Sequence, residues 1–190
     1  MKNLSALTLS EPLLPLELWA PGTEVLRTAT PGLRPWLTEP GLLTERIAAA
    51  AGVPAGLRLV EQRLGFLTAE QQALLAAPAA SCLVREVLLG ARERPWVFAQ
   101  TLVPDLTLED HPWLAELGEA SLGTTLAQLR GLERAPFEFA PLPAAHPLAA
   151  RAFAAAAAIA SGSLWARRSW FALRGRRLLV QEVFLPELPC

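Results

Sequence analysis

The chain has 190 residues, 52% of them hydrophobic and 18% charged, with a net charge of −1. That length holds one domain with a sizeable core, and the composition excludes a disordered chain. The near-neutral charge argues against nucleic acid as the main partner. Cys82 and Cys190 are the only cysteines, so no secreted disulfide framework is present and a reducing compartment is favoured. The N-terminus lacks the basic start and apolar core of a signal peptide. The uncharged run from Ala152 to Ala166, at 15 residues, is shorter than the roughly 20 that a membrane helix needs. A cytoplasmic protein with no integral membrane segment is expected.

In chain order, residues 1–31 are punctuated by Pro12, Pro15, Pro21 and Pro31 and read as a peripheral segment, with a short helix possible only around Leu16–Trp19. Trp36–Thr38 and Leu42–Ala51 suggest helix, the second stopped by Gly52 and Pro54. Leu57–Phe66 alternates as a strand, and Thr68 caps a short helix to Leu75. Cys82–Gly90 and Pro95–Val103 are strands joined by the hairpin loop Ala91–Arg94. Thr107 or Asp110 is expected to cap a helix running to Leu117, and Ser121–Thr124 to form a turn. Phe137–Phe139 is a short strand, and the Ala-rich stretch from His146 to Ala160 a helix. Leu164–Leu173 and Arg177–Leu185 form a second hairpin around Arg174–Gly175–Arg176. The fold class expected is α+β, a single domain over residues 1–190. About six antiparallel strands are linked by hairpins, with helices covering one face.

Much chemistry is missing. No Gly-rich phosphate loop occurs, the two histidines His111 and His146 are far apart and read as loop residues, and no Gly-x-Ser-x-Gly turn supports a nucleophile. Two charges stand out instead. Arg85 shares a strand face with Leu83, Val87 and Leu89, and Glu182 shares one with Val180 and Phe184. Charged side chains on apolar faces are rare without partners. Two readings stay open: a structural ion pair between the strands, or two polar ends of a small-acid site, with Arg85 matched to a carboxylate. Arg167, Arg168, Arg174, Arg176 and Arg177 read as a solvated basic hairpin or as an anion-attracting rim.

An ordered set of motifs goes further. Arg85–Leu89 is followed by Pro95–Trp96, then by Thr101–Pro104, Leu117–Gly118, Leu122–Gly123, Leu164–Ser169 and Glu182–Pro186. Over roughly Leu33 to Pro186 the chain resembles the chorismate pyruvate-lyase family. The resemblance implies a six-stranded antiparallel sheet covered by helices, with an internal ligand cavity closed by flaps. It also implies elimination of pyruvate from chorismate to give 4-hydroxybenzoate, a step toward ubiquinone, without metal or organic cofactor. By the resemblance, Arg85 binds the ring carboxylate, Glu182 contacts the ring hydroxyl, and Leu122 offers a backbone contact. Leu43 lines the ligand. The chain departs from the family at Thr124 and Gln100, where Arg is expected, and at the Ala-rich residues 142–161, which look like an inserted surface helix. Chorismate and 4-hydroxybenzoate are the expected partners, and a monomer is expected. The same fold resembles the effector domains of some GntR-type regulators, a non-catalytic alternative. Residues 1–80, however, carry no basic cluster suited to DNA.

Overall fold

Alternating apolar strands bounded by turn residues assemble into one antiparallel sheet. The computed structural model describes residues 18–22 and 24–190. Two strands are two-residue bridges, β1 (Ala20–Pro21) and β5 (Glu133–Arg134). Six are full strands: β2 (Gly56–Phe66), β3 (Ser81–Ala91), β4 (Arg94–Pro104), β6 (Glu138–Pro143), β7 (Ser163–Leu173) and β8 (Arg176–Phe184). All six are predicted from sequence, but β6, expected as Phe137–Phe139, starts at Glu138 and runs through Pro141 to Pro143. Their spatial order is β1-β6-β7-β8-β4-β3-β2, and β5 also pairs with β7. The hairpin between β3 and β4 turns at Arg92 and Glu93, both with positive φ, and that between β7 and β8 at Arg174 and Gly175. Two consecutive left-handed residues match the twist of the flanking strands.

The helices are α1 (Arg34–Leu37), α2 (Leu43–Ala51), α3 (Ala69–Leu75), α4 (Asp105–Asp110), α5 (Leu122–Ala127) and α6 (Pro147–Ala155). Gly52 ends α2 in the left-handed conformation, and Thr68 with Gln71 closes a reciprocal capping box on α3. Ser121–Thr124, expected as a turn, instead opens α5, because the Ser121 side chain accepts from the Thr124 N–H. The helix expected from Thr107 or Asp110 starts at Asp105 and breaks at His111, since Pro112 cannot continue it. Thr107 is buried and donates to the Arg177 carbonyl. Of the helix considered for Leu16–Trp19, residues 16 and 17 lie outside the described residues; Leu18 and Trp19 are not helical.

Two further expectations are corrected. Helices cover both faces of the sheet, not one. Leu37, Leu43 and Ile47 of α1 and α2 pack with Val87, Leu89 and Ala99 on one face, and Leu122 and Leu126 of α5 join Leu83 and Val103 there. On the opposite face α6 packs with Leu88, Phe98 and Val183, and Leu75 of α3 with Cys82 and Val84. Coverage on both sides is why β3 is buried along almost its whole length. The Ala-rich helix is accordingly not a surface helix: Leu148, Ala149, Ala152 and Phe153 are all buried. It stops at Ala155 rather than Ala160, because the chain turns left-handed at Ala157 to return to β7. His146 is not a loop bystander but its N-cap, with Nδ1 accepting from the Leu148 N–H. Among the described residues no helix is long and apolar enough to cross a membrane. Burial pushes the Cys82 thiol up to about 11, so it behaves as an apolar core residue.

Candidate active site

The side chains of β3, β4, β8 and β7 alternate, so one residue in two faces α2 and α5. Cross-strand register aligns them in rows. Arg85 pairs with Thr101, Thr101 with Val180, and Val180 with Ser169. The next row runs Val87, Ala99, Glu182, Arg167. Above these rows lies a cavity of about 300 Å³. Its floor includes Arg85, Val87, Ala99, Thr101, Val180 and Glu182. Its roof is two flaps: Pro40–Leu43 leading into α2, and Ser121–Ala127, which is α5 with its cap. Leu43 and Leu122, the other two residues that the resemblance singles out, line it as well. The volume and the mostly apolar wall with a few convergent charges fit a small cyclic acid.

Arg85 and Glu182 are not an ion pair. They sit two strands and one two-residue step apart, roughly 12 Å between backbone positions by sheet spacings. Arg85 is 3% exposed and meets no carboxylate among the described residues. Both Nη2 hydrogens go to the Gly118 and Ala120 carbonyls, at 2.8 and 2.9 Å. Its Nε is buried without a partner. Burial pushes its pKa below the ordinary arginine value. An unsatisfied buried donor on a charged group is costly unless a ligand completes it. The open Nε lies on the same edge of the guanidinium as Nη2, whose hydrogens are given to the loop that leads into α5.

Glu182 has its own partner. Arg167 donates from Nε to Glu182 Oε2 at 2.6 Å, from the directly opposite position on β7. Arg167 is 1% exposed, which overturns its reading as part of a solvated basic edge. Its Nη1 donates to the carbonyls of Trp36, Leu37 and Glu39. One arginine thus fixes the Glu182 carboxylate and ties down the approach to the first flap. Glu39 tightens that segment: Arg46 and the Gly41 N–H bond its carboxylate and hold its pKa below the ordinary 4.5. The second flap meets the first where Gly123 faces Leu42; a β-carbon on Gly123 would lie 3.1 Å from Leu42 Cδ2.

The two single-residue departures from the family pattern fall elsewhere. Gln100 points to the opposite face, where its Nε2 donates to Glu86 Oε1 and its Oε1 accepts from Gln181. Thr124 is exposed and does not line the cavity. The Arg174–Arg177 turn is no rim of this cavity: Arg176 pairs with Asp110, and Arg177 bonds the Leu74 carbonyl over Trp170. Sequence reasoning missed Arg134 and Arg167 as cavity residues. Alternation along β7 puts Arg167 on the face of Trp165 and Ser169, a signal that was available; Arg134 sits on a two-residue strand with no periodicity to read. Among the described residues no three His, Cys, Asp or Glu side chains cluster as a metal site.

Comparison with known proteins adds names to this geometry. A family model described as chorismate lyase matches residues 13–189. A probable chorismate pyruvate-lyase of Azoarcus sp. (strain BH72) is 42% identical, with 85% of this chain and 88% of that protein aligned. Another probable chorismate pyruvate-lyase, from Pseudomonas aeruginosa (strain UCBPP-PA14), is 38% identical over 86% of this chain and 88% of its own length. Among solved structures, the effector domain of PhnF from Mycobacterium smegmatis aligns over 77% of this chain and 90% of its own, with a TM-score of 0.56 and 18% identity. The C-terminal domain of the histidine utilization repressor from Pseudomonas syringae pv. tomato aligns over 72% and 94%, with a TM-score of 0.57 and 10% identity. These two likenesses speak to the fold alone.

Proposed function

The chain belongs to the chorismate lyase family, and from that premise we propose that it eliminates pyruvate from chorismate to leave 4-hydroxybenzoate. The observation that carries this reading is the cavity with a buried, carboxylate-free Arg85 at one end and an anchored Glu182 at the other.

Chorismate bears a ring carboxylate, a hydroxyl on C4 and an enolpyruvyl ether on C3. Arg85 takes the ring carboxylate; Glu182, with Oε2 held by Arg167, presents Oε1 to the hydroxyl at the far end of the ring. The apolar wall of Val87, Leu89, Leu43 and Leu122 clasps the ring between them. Leu122, the first residue of α5, is assigned the backbone contact to the ligand carboxylate. Holding both ends aligns the breaking bond, which is a positioning contribution to rate. The C3–O bond breaks, the C4 hydrogen leaves, and the ring becomes aromatic, which drives the step. The departing enolpyruvate gains a proton on its methylene carbon and becomes pyruvate. Glu182 serves either as the base for the C4 hydrogen or as the group that positions it for transfer within the substrate. Chorismate deuterated at C4 separates the two, since label in the pyruvate methyl group excludes a base in exchange with solvent. A product gripped at both ends under two flaps leaves slowly, so product inhibition by 4-hydroxybenzoate is expected. The product's use is assigned to the route toward ubiquinone.

The regulator reading draws on the fold likeness alone. The regulators are 18% identical or less, against about 40% for the relatives named as probable lyases. Purified protein mixed with chorismate decides: stoichiometric pyruvate and 4-hydroxybenzoate are expected. Tight binding of 4-hydroxybenzoate with no pyruvate formed would replace the lyase with a sensor.

A further inference from the structure

Four charged groups border the cavity: Arg85, Arg134, Arg167 and Glu182. Their donors are not equally committed. Arg167 is spent on Glu182 and on three backbone carbonyls. Arg85 gives Nη2 to the Gly118–Ala120 loop and serves the ring carboxylate in the reading above. Arg134 is different. It is exposed at the edge of the cavity; of its donors only Nη1 bonds protein, the Pro40 carbonyl at 2.9 Å, and it meets no carboxylate among the described residues. It is nonetheless held in place. Its guanidinium carbon lies 4.0 Å from the centroid of Phe137 and 5.2 Å from that of Phe171. Stacking on two rings and a tether to the first flap fix the head of a side chain that is otherwise flexible.

Its place in the cavity is informative. Arg167 stacks on the same Phe137 ring, 4.2 Å from its centroid. Arg134 therefore stands beside the Arg167–Glu182 pair, at the end opposite Arg85. Both neighbours act on its charge: burial and Arg167 push its pKa down, and Glu182 pushes it up. If Glu182 holds the C4 hydroxyl, the C3 substituent of the ring lies at this same end, because C3 and C4 are adjacent. That substituent carries the second carboxylate.

We propose that Arg134 receives the second carboxylate of the substrate, the one that departs with the enolpyruvyl group. This rests on the lyase reading and deepens it. It gives three-point recognition: Arg85 for the ring carboxylate, Glu182 for the hydroxyl, Arg134 for the side-chain carboxylate. It also gives a difference between substrate and product. 4-Hydroxybenzoate has no second carboxylate, so it forfeits the Arg134 contact when pyruvate is released.

The test uses the full chain, with Arg134→Gln and Arg134→Lys beside the wild type. Equilibrium binding is measured for 4-hydroxybenzoate and for 3-(carboxymethoxy)-4-hydroxybenzoate, an unreactive aromatic diacid with its second carboxylate on the C3 substituent. Steady-state kinetics on chorismate run in parallel. In Arg134→Gln, diacid binding and kcat/KM should fall about 10- to 100-fold, as loss of a charge-assisted contact implies. 4-Hydroxybenzoate binding should stay within about twofold, and Lys should recover part of the loss. Equal weakening of monoacid and diacid would overturn the proposal and leave Arg134 as a flap tether through Pro40. So would unchanged binding of both. If the wild type makes no pyruvate, the lyase reading fails, yet the contrast between diacid and monoacid still decides the role of Arg134.

Discussion

Arg85 and Glu86 are neighbours on β3, and they face opposite sides of the sheet. Both are buried, at 3% and 0% exposure. Their surroundings differ in kind. Glu86 is saturated: Arg151 of α6 donates to Oε2 at 2.6 Å and Gln100 to Oε1 at 2.9 Å, and Arg151 also reaches Glu61. The side chain of Gln181 extends the network by bonding Gln100. Across the sheet, Arg85 keeps a buried, unpartnered Nε beside a cavity, while the exposed Arg134 at the other end of it gives protein only its Nη1. A buried polar group stabilises a fold when its partners are protein atoms, and it waits for a ligand when they are not. One face of this sheet is closed on itself and the other carries a cavity with an open buried donor.

The comparison is broken most severely from the closed face. Arg151→Ala leaves the fully buried Glu86 without its closest cation; with Arg151 itself 35% exposed and Gln100 still bonded, the loss should be about 1–3 kcal/mol. Chemical denaturation should show that loss, while KM for chorismate stays near wild type; a changed KM at full stability would merge the two faces into one site. Glu182→Gln is the mirror case. It keeps the shape and an acceptor for Arg167 Nε but leaves that buried guanidinium without its counter-charge, so stability should fall modestly, while kcat falls on the order of 100-fold. Near-full turnover would remove any base role and leave Glu182 as a positioning group. Arg85→Met removes a buried cation whose donors are incompletely used, so stability should be unchanged or higher. Binding of 4-hydroxybenzoate should weaken by roughly 30-fold or more. An unchanged affinity would move the carboxylate site elsewhere.

Gly123→Ala probes the contact between the flaps. The added methyl presses on Leu42 at 3.1 Å. The flaps should then close less tightly, and product release should quicken by a few-fold while the melting temperature moves little; slower release would mean the flaps do not gate the product. The smallest effect is expected from pH. Burial holds the His146 pKa below its ordinary 6.5, against an opposing pull from Glu70. The folded state therefore favours neutral imidazole, which the Nδ1 cap on α6 requires. The unfolded chain binds the extra proton first, so this contribution is present above 6.5 and is lost as pH falls through and below it. Unfolding free energy should drop by about 1 kcal/mol at most over that range, the scale of one helix cap. His146→Asn, which retains a cap acceptor without a titrating ring, should flatten that part of the profile.

Local pattern was enough to place the six full strands, both hairpin turns and α2, since alternation and glycine or proline punctuation are written within a few residues. It also put Arg85 and Glu182 on apolar faces, because the period of a strand is two. It did not reveal whether those residues pair with each other, which depends on strands 97 residues apart in sequence settling two positions from each other in the sheet. Sequence leaves Arg167 open between a solvated edge and an anion-attracting rim, because its burial comes from α1 and the first flap, whose carbonyls lie about 130 residues away in sequence. The Ala-rich helix was assigned to the surface because alanine signals helix but says nothing of which surface the helix meets. The sequence by itself determined the elements and the chemical character of the cavity floor. Only tertiary structure decided which buried charges are satisfied and which keep an open donor beside the cavity, because that depends on donors and acceptors brought together from distant segments, and no local period encodes it.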